Sequence, residues 1–238
     1  MKRTVNSIIQ PDIKICQLSE GFRFGIDSVM LAWFATVKKG EKIIDIGSGS
    51  GVISILINKL KNASDITAVE LQPDLYQCLL KSIQLNKAEE YIKPVCADIC
   101  RYKPKHKFHS AICNPPYRSV AAGEKSSNKC EAIAKFDDCL PFDKLLKFCK
   151  SYIHYGGRLS ITGAADRFAY IVNLCQTYDF EPKRARFMHP SENRRAKIFF
   201  MECVYGGGVE LTVEPPIIQK QRNAPNIFYT NVLQGIWQ

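Results

Sequence analysis

The chain has 238 residues, 46% hydrophobic and 24% charged, which is ordinary globular usage and enough length for one sizeable core. A formal net charge of +10 favours a polyanionic partner such as nucleic acid or an anionic membrane. No apolar run approaches the ~20 residues of a membrane-spanning helix, which makes the membrane reading the weaker of the two.

Lys2 and Arg3 resemble the start of a secretory leader, but Gln10, Asp12 and Lys14 interrupt the stretch behind them. The expected location is therefore the cytoplasm. The ten cysteines contain no CxxC pair, and the expectation is reduced thiols that act as small core hydrophobes, Cys78 and Cys113 among them. His106, His109, His154 and His189 share no ligand spacing, and no metal is expected.

Residues 1–40 are expected to form an N-terminal cap on a single domain, with Trp33 and Phe34 packing inside that cap. From there strand-like and helix-like segments alternate, which predicts a parallel sheet with crossover helices. Lys42 to Ile46 is a short apolar strand that ends in a glycine-rich turn. Val52 to Leu60 is apolar nearly all round and predicts a buried helix. Ile66 to Leu71 is the next strand. Pro73 suits a first helical turn, and Leu75, Leu79 and Ile83 share one helical face. Ile92 to Ala97 and Ser110 to Cys113 are further strands. Arg118 to Cys130 has no periodicity and reads as a loop beside the site. Pro141 to Tyr152 and Arg167 to Gln176 are helices that flank a strand at Arg158 to Thr162. Pro182 to Met188 and Lys197 to Val204 predict a closing antiparallel pair. Residues 206–238 form an extension whose structure the pattern leaves open.

Three successive strands end near polar residues: Glu70, Asp98 and Asn114. Ligands of open α/β sheets bind outside the carboxyl ends of the strands, so these residues are expected at one site. The run Asp45-Ile46-Gly47-Ser48-Gly49-Ser50-Gly51 is GxGxG rather than the GxGxxG of a dinucleotide fold. An acid ahead of the glycines repels a pyrophosphate but suits an ammonium group. S-adenosylmethionine has an ammonium group and no phosphate. Glu70 stands where a ribose-binding acid belongs, and Asp98 where an adenine amino group would donate, with Ile99 against the ring.

Asn114-Pro115-Pro116-Tyr117 follows the fourth strand. An exocyclic or carboxamide nitrogen is a poor nucleophile because its lone pair is delocalised. Acceptors on its two hydrogens favour pyramidal geometry and aim the lone pair. The Asn114 side-chain oxygen and the Pro115 carbonyl are the candidate acceptors, and the prolines hold that carbonyl in a fixed turn. Tyr117 would stack on an extruded base. Displacement at a methyl group needs no metal and no covalent intermediate.

The tetrapeptide resembles that of S-adenosylmethionine-dependent amino-methyltransferases. Three further stretches are similar to the bacterial tRNA(Val) adenine-N6 methyltransferase family: Phe22-Arg23-Phe24-Gly25-Ile26-Asp27-Ser28 with Leu31-Ala32, Glu181-Pro182-Lys183-Arg184-Ala185-Arg186, and Met201-Glu202 before Gly206-Gly207-Gly208. This resemblance implies a Rossmann-like α/β fold with a seven-stranded, mostly parallel sheet, a catalytic core over 41–205, S-adenosylmethionine as donor and an adenine beside the anticodon as target. It also implies that Asp45, Gly47, Glu70, Asp98 and Asn114 bind cofactor or target, with Gly49 and Gly51 in the same loop and Asp27 near the methionine end. The basic residues Lys183, Arg184, Arg186, Arg194, Arg195 and Lys197 gather in the closing pair, and Arg118, Lys125 and Lys129 lie in the loop. They are candidate phosphate contacts that position tRNA without reading its sequence. Lys103, Lys105 and Lys107 read as a solvated loop.

Release-factor glutamine methyltransferases also use this tetrapeptide but carry an N-terminal helical domain, for which the stretch before Asp45 is short. Guanine-N2 methyltransferases more often end the motif in phenylalanine. A catalytically idle RNA-binding module would have no use for the intact Asp45, Glu70, Asp98 and Asn114.

Overall fold

The computed structural model describes residues 2–20, 24–115, 141–221 and 224–237. Strands β1 (Arg3–Ile8) and β2 (Gln10–Leu18) form a separate antiparallel hairpin, followed by helix α1 (Ile26–Phe34). The alternating core then runs β3 (Lys42–Ile46), α2 (Val52–Lys61), β4 (Asp65–Glu70), α3 (Pro73–Leu85), β5 (Ile92–Cys96) and β6 (Phe108–Cys113). After the undescribed stretch come α4 (Phe142–Tyr152), β7 (Ile153–Ala164), α5 (Phe168–Thr177), β8 (Phe180–Ser191) and β9 (Ile198–Tyr205). Short strands β10 (Thr212–Val213), β11 (Ile217–Gln221) and β12 (Ala224–Pro225) precede α6 (Ile227–Leu233).

The strand order is β12-β11-β8-β9-β7-β6-β3-β4-β5, with β10 also beside β8. β3 through β9 make up the expected seven strands, parallel except for β9. The sheet is wider than the family resemblance implies. Residues after the Gly206 turn add β10 and β11 parallel to β8, and β12 closes that edge. These strands are only a few residues long and have no alternating pattern, so their place is set by the β8 edge they pair with.

Alternation along the strands divides the core between the two faces of the sheet. On one face Ile43, Ile66, Ala68 and Ile112 pack with α1, α2 and α3. On the other, Ile44, Ile46, Ala111 and Cys113 pack with α4 and α5. Helix α3 buries Leu75, Cys78, Leu79, Ser82 and Ile83, the stripe its spacing predicts.

The N-terminal hairpin has no core of its own. Its Ile13 and Ile15 join the first cluster, while Cys16 and Leu18 pack on Leu75 and Cys78. Polar bonds fix its register on α3. The Cys16 amide donates to Ser82 Oγ at 3.0 Å, and Asn86 exchanges two bonds with the Lys14 backbone, at 3.2 and 2.6 Å.

Trp33 and Phe34 differ from expectation. They reach out of the N-terminal region, Trp33 edge-on to Phe228 of α6 at 5.1 Å and Phe34 against Phe200 of β9 at 5.9 Å. The core strand expected at Arg158 to Thr162 also starts earlier, at Ile153. Its register against β6 slips around Gly156 and Gly157, where the carbonyls of His109 and His154 leave no room for a Cβ at Gly157. The eight described cysteines are free. Six are buried as expected, whereas Cys96, at the end of the edge strand β5, and Cys100, in the turn after it, are exposed. Cys130 and Cys139 lie outside the described residues. Among the described residues, no helix is long and apolar enough to cross a membrane.

Glu202 on β9 ties the α1–β3 connection to the sheet. It is 6% exposed and accepts from the Thr36 amide (2.8 Å), Thr36 Oγ1 (2.8 Å) and Ser160 Oγ (2.9 Å), with Arg184 at 3.6 Å. Glu202→Ala leaves the Thr36 amide and the two hydroxyls without their acceptor and leaves Arg184 with Glu214 and the Phe34 carbonyl. Urea unfolding should show a loss of about 1–3 kcal/mol, the scale of leaving buried donors unsatisfied.

Candidate active site

β3 pairs with β4 on one side and β6 on the other, so strand order reverses there and a crevice opens at the carboxyl ends. The glycine loop leaves β3 at this point. Gly47, Gly49 and Gly51 all have positive φ, at 69°, 57° and 88°, a region that side chains resist. The Gly47 and Ser48 amides donate to the Val69 carbonyl at 2.9 and 3.0 Å, which holds the loop across β4. A Cβ on Gly51 would strike Leu79 of α3 at 2.6 Å, whereas one on Gly47 would meet nothing within 4 Å. Gly51 is therefore needed for packing as well as for its turn, and Gly47 faces open space.

Two acids support the loop. Asp45 is fully buried beneath it, and its Oδ2 accepts from Ser54 Oγ at 2.6 Å and the Ser54 amide at 3.2 Å. Burial pushes its carboxyl up to about 7 against the Ser54 bonds that pull it down, and nearby Glu70 raises it further. Glu70, 5% exposed, receives the Gly49 amide on Oε2 at 2.8 Å and the Gln72 amide on Oε1 at 2.7 Å. Burial raises its carboxyl too, opposed by those backbone bonds. The acid expected at the ribose thus also braces the loop.

Asn114 follows β6 directly across from Gly47, because Cys113 pairs with Ile46. Its Nδ2 donates to Ser28 Oγ at 2.9 Å and Asp27 Oδ2 at 3.3 Å. Pro115 is buried beside it. Asp98 lies just past β5, half exposed, and its Oδ1 accepts from the Cys100 amide at 2.8 Å with Arg101 at 3.8 Å. Ile99 is buried against the second core cluster. Pro116, Tyr117, Arg118, Lys125 and Lys129 lie outside the described residues.

Six buried side-chain oxygens have no partner among the described residues: Asp45 Oδ1, Ser48 Oγ, Gln72 Oε1, Asn114 Oδ1, Gln17 Oε1 and, within β6, Ser110 Oγ. Four of them belong to the loop and the strand ends around it. Gln17, on β2, is next to Leu18, which packs on Leu75 in the first turn of α3. Buried polar groups are normally bonded, so this collection points to a ligand rich in donors. An ammonium group, ribose hydroxyls and an adenine amino group are such donors, and a pyrophosphate is not, so Asp45, Ser48 and Gln72 around the loop fit S-adenosylmethionine. Ser28, Ser48, Gln72 and Gln17 were absent from the sequence-based set. Ser48 lies inside the loop motif, but an isolated glutamine or serine carries no pattern that marks it.

The predicted basic residues separate into two groups. Arg184 pairs with Glu202 and Glu214 (3.1 Å), donates to the Phe34 carbonyl at 2.6 Å and covers the Phe34 ring at 4.2 Å. Arg186 pairs with Glu214 at 3.4 Å and lies over Trp33 and Phe228. Both line a cavity of about 450 Å³ with Lys61 at the carboxyl end of α1, away from Asp27 and Asn114. Lys183 donates to the Gly208 carbonyl at 2.7 Å. Arg194 and Arg195 are exposed in the connection from β8 to β9. Since β8 runs parallel to β6, that connection is at the same edge of the sheet as Asn114.

The Asp45 carboxyl gives a pH test. It binds its proton more tightly folded than unfolded, so its contribution to stability is full below 3.8 and is lost as pH rises through about 7. Urea unfolding of the ligand-free protein should show that decline, and Asp45→Asn should flatten it.

A family model for the TRM5/TYW2 methyltransferase domain matches residues 30–129. The chain is 35% identical over 140 residues to the tRNA1(Val) (adenine(37)-N6)-methyltransferase of Aliivibrio salmonicida, a match that spans 59% of each chain, less than two thirds of that relative. It is 33% identical over 160 residues to the enzyme of the same name from Aliivibrio fischeri, covering 67% of this chain and 68% of the relative. Among solved structures, an Agrobacterium tumefaciens protein described as a predicted O-methyltransferase superposes with a TM-score of 0.70 at 19% identity, covering 88% and 96% of the two chains. The Methanocaldococcus jannaschii Trm5 in complex with adenosine gives 0.60 at 19% identity, covering 87% of this chain and 57% of that one. The structures share the class I methyltransferase fold, and the sequence likeness to the fischeri enzyme reaches far enough along both chains to place this protein in the tRNA1(Val) (adenine(37)-N6)-methyltransferase family of S-adenosylmethionine-dependent enzymes.

Proposed function

We propose that this chain methylates the N6 amino group of an adenine in tRNA, at the position beside the anticodon named for its relatives, and that it does so in the cytoplasm. The observation that carries the reading is Asn114 Oδ1, a buried acceptor without a partner among the described residues, placed across from the glycine loop. When bound, S-adenosylmethionine supplies a methyl group on a sulfonium; the amine nitrogen takes the methyl carbon, the sulfur keeps the bonding pair as a thioether, and one amine proton passes to solvent.

The protein's part is orientation. Asn114 Oδ1 and the Pro115 carbonyl accept from the two amine hydrogens and direct the lone pair. Glu70, Gly49 and Gln72 hold the loop against which the adenosyl and methionyl parts lie, and Asp45 beneath it favours a cationic ligand. The reaction calls for neither a general base of high strength nor a metal, and the site is built of acceptors. Arg194 and Arg195, exposed on the edge of the sheet that carries Asn114, contact tRNA phosphates. Arg184 and Arg186 serve the packing of α1 and α6 instead.

Incubation with methyl-labelled S-adenosylmethionine and unmodified tRNA, followed by mass spectrometry of nucleosides, should yield N6-methyladenosine. Methylated guanine, or label on protein glutamine, would overturn the proposal. Asn114→Ala should slow transfer by about a hundred- to a thousandfold and leave S-adenosylmethionine affinity nearly unchanged.

Replacing Arg194 and Arg195 together by alanine should weaken tRNA binding and lower the log–log salt slope by roughly two units. Filter binding across a salt series measures this, with S-adenosylmethionine affinity as the unchanged control.

A further inference from the structure

The orientation of the Asn114 carboxamide is imposed from outside the Asn-Pro motif. One terminal atom of the side chain lies 2.9 Å from Ser28 Oγ and 3.3 Å from Asp27 Oδ2. An ionised carboxylate accepts hydrogen bonds and donates none. The atom facing Asp27 therefore has to be the amide nitrogen, since half a turn about the amide would set two acceptors against each other. Oδ1 is thereby directed to the opposite side, where it is buried and has no partner among the described residues.

We propose that Asp27 and Ser28 are positioning residues for methyl transfer: they lock the Asn114 amide so that the site offers an acceptor, never a donor, to the incoming group. The inference rests on the amino-methylation reading given above. A locked acceptor selects targets that bring N–H hydrogens, and a flipped amide would present its own hydrogens to an amine and repel it.

The sequence around these residues works as a unit. Asp27 is in the first turn of α1, where the positive end of the helix dipole stabilises its charge, and its Oδ1 accepts from the Ser28 amide at 3.1 Å. Gly25 has an ordinary extended backbone, so its φ does not explain the glycine. Space does: a Cβ there would come within 2.3 Å of Asp27 Oδ1. Gly25 leaves room for the carboxylate, the carboxylate and Ser28 hold the amide, and the amide presents its oxygen. Asp27 and Ser28 both hold the Asn114 amide nitrogen and act through that side chain, which separates their role from that of Asn114.

The test uses the full chain with S-adenosylmethionine and unmodified tRNA1(Val) transcript. Asp27→Asn keeps the shape but lets the amide turn over, and should lower kcat by about tenfold or more, the scale of a misplaced polar contact in a preorganised site. Positioning through Asn114 leaves both dissociation constants within about threefold, whereas a loss of S-adenosylmethionine affinity would put Asp27 at the methionine end, as the family resemblance implies, and overturn the positioning role. Asn114→Asp alone sets two carboxylates together and should also fail. The double variant Asp27→Asn/Asn114→Asp restores a donor facing an acceptor with the roles exchanged, and should recover activity above both single variants.

A second readout is independent of turnover. In ¹⁵N-labelled protein the Asn114 side-chain amide, identified by its loss in Asn114→Ala, should shift in both Asp27→Asn and Ser28→Ala. If the wild-type protein methylates no tRNA, the functional reading fails while this resonance still reports the orientation. A double variant no more active than the better single one, or an Asn114 resonance unmoved in both substitutions, would overturn the proposal.

Discussion

Three backbone positions with positive φ, at Gly47, Gly49 and Gly51, let the chain turn from β3 into α2 within one short loop, and the site is arranged around that turn. Side chains there would be strained, and at Gly51 one would also collide with α3. The loop's amides are held by the end of β4, through the Val69 carbonyl and the Glu70 carboxylate. Because β4 and β6 flank β3, a loop fixed in this way faces Asn114 without any contribution from the N-terminal hairpin. The hairpin and α1 then add what the loop lacks, a cover over α3 and the pair that orients Asn114.

Burial of acids recurs through the core of the molecule, and the structure handles each case differently. Asp45 is fully buried with hydrogen bonds on one oxygen only, and its carboxyl rises to about 7. Glu70 is braced by backbone amides. Glu202 is surrounded by hydroxyls, an amide and a guanidinium. The first two lie at the strand ends, where a cationic ligand with hydroxyl donors would complete their bonding, and the third lies within the sheet, where its partners are all protein.

Charge in the basic C-terminal half is divided in the same way. Arg184 and Arg186 cover aromatic rings and share Glu214, and burial with nearby Arg184 holds Lys61 down to about 8. These cations join α1, β8 and α6 and are drawn away from the surface. Arg194 and Arg195, a few residues further along, stay exposed at the edge where the strands end. A run of basic residues in sequence is therefore split, part of it committed to packing and part left exposed.

The alternation of strands and helices from Lys42 to Val204, the glycine loop, and the acids at Asp45 and Glu70 were legible in the sequence because each is a local pattern. Period and composition report which way a residue faces, and a turn requiring positive φ requires glycine. Tertiary structure decided what no local pattern encodes. It paired the weak strands after Gly206 with β8, sent Trp33 and Phe34 to Phe228 and Phe200, and gave Arg184 and Arg186 to Glu202 and Glu214. It also brought Asp27 and Ser28 to Asn114 across most of the core. Contacts between residues distant along the chain depend on how the two faces of the sheet are filled and where its edges fall, and those are properties of the assembled fold.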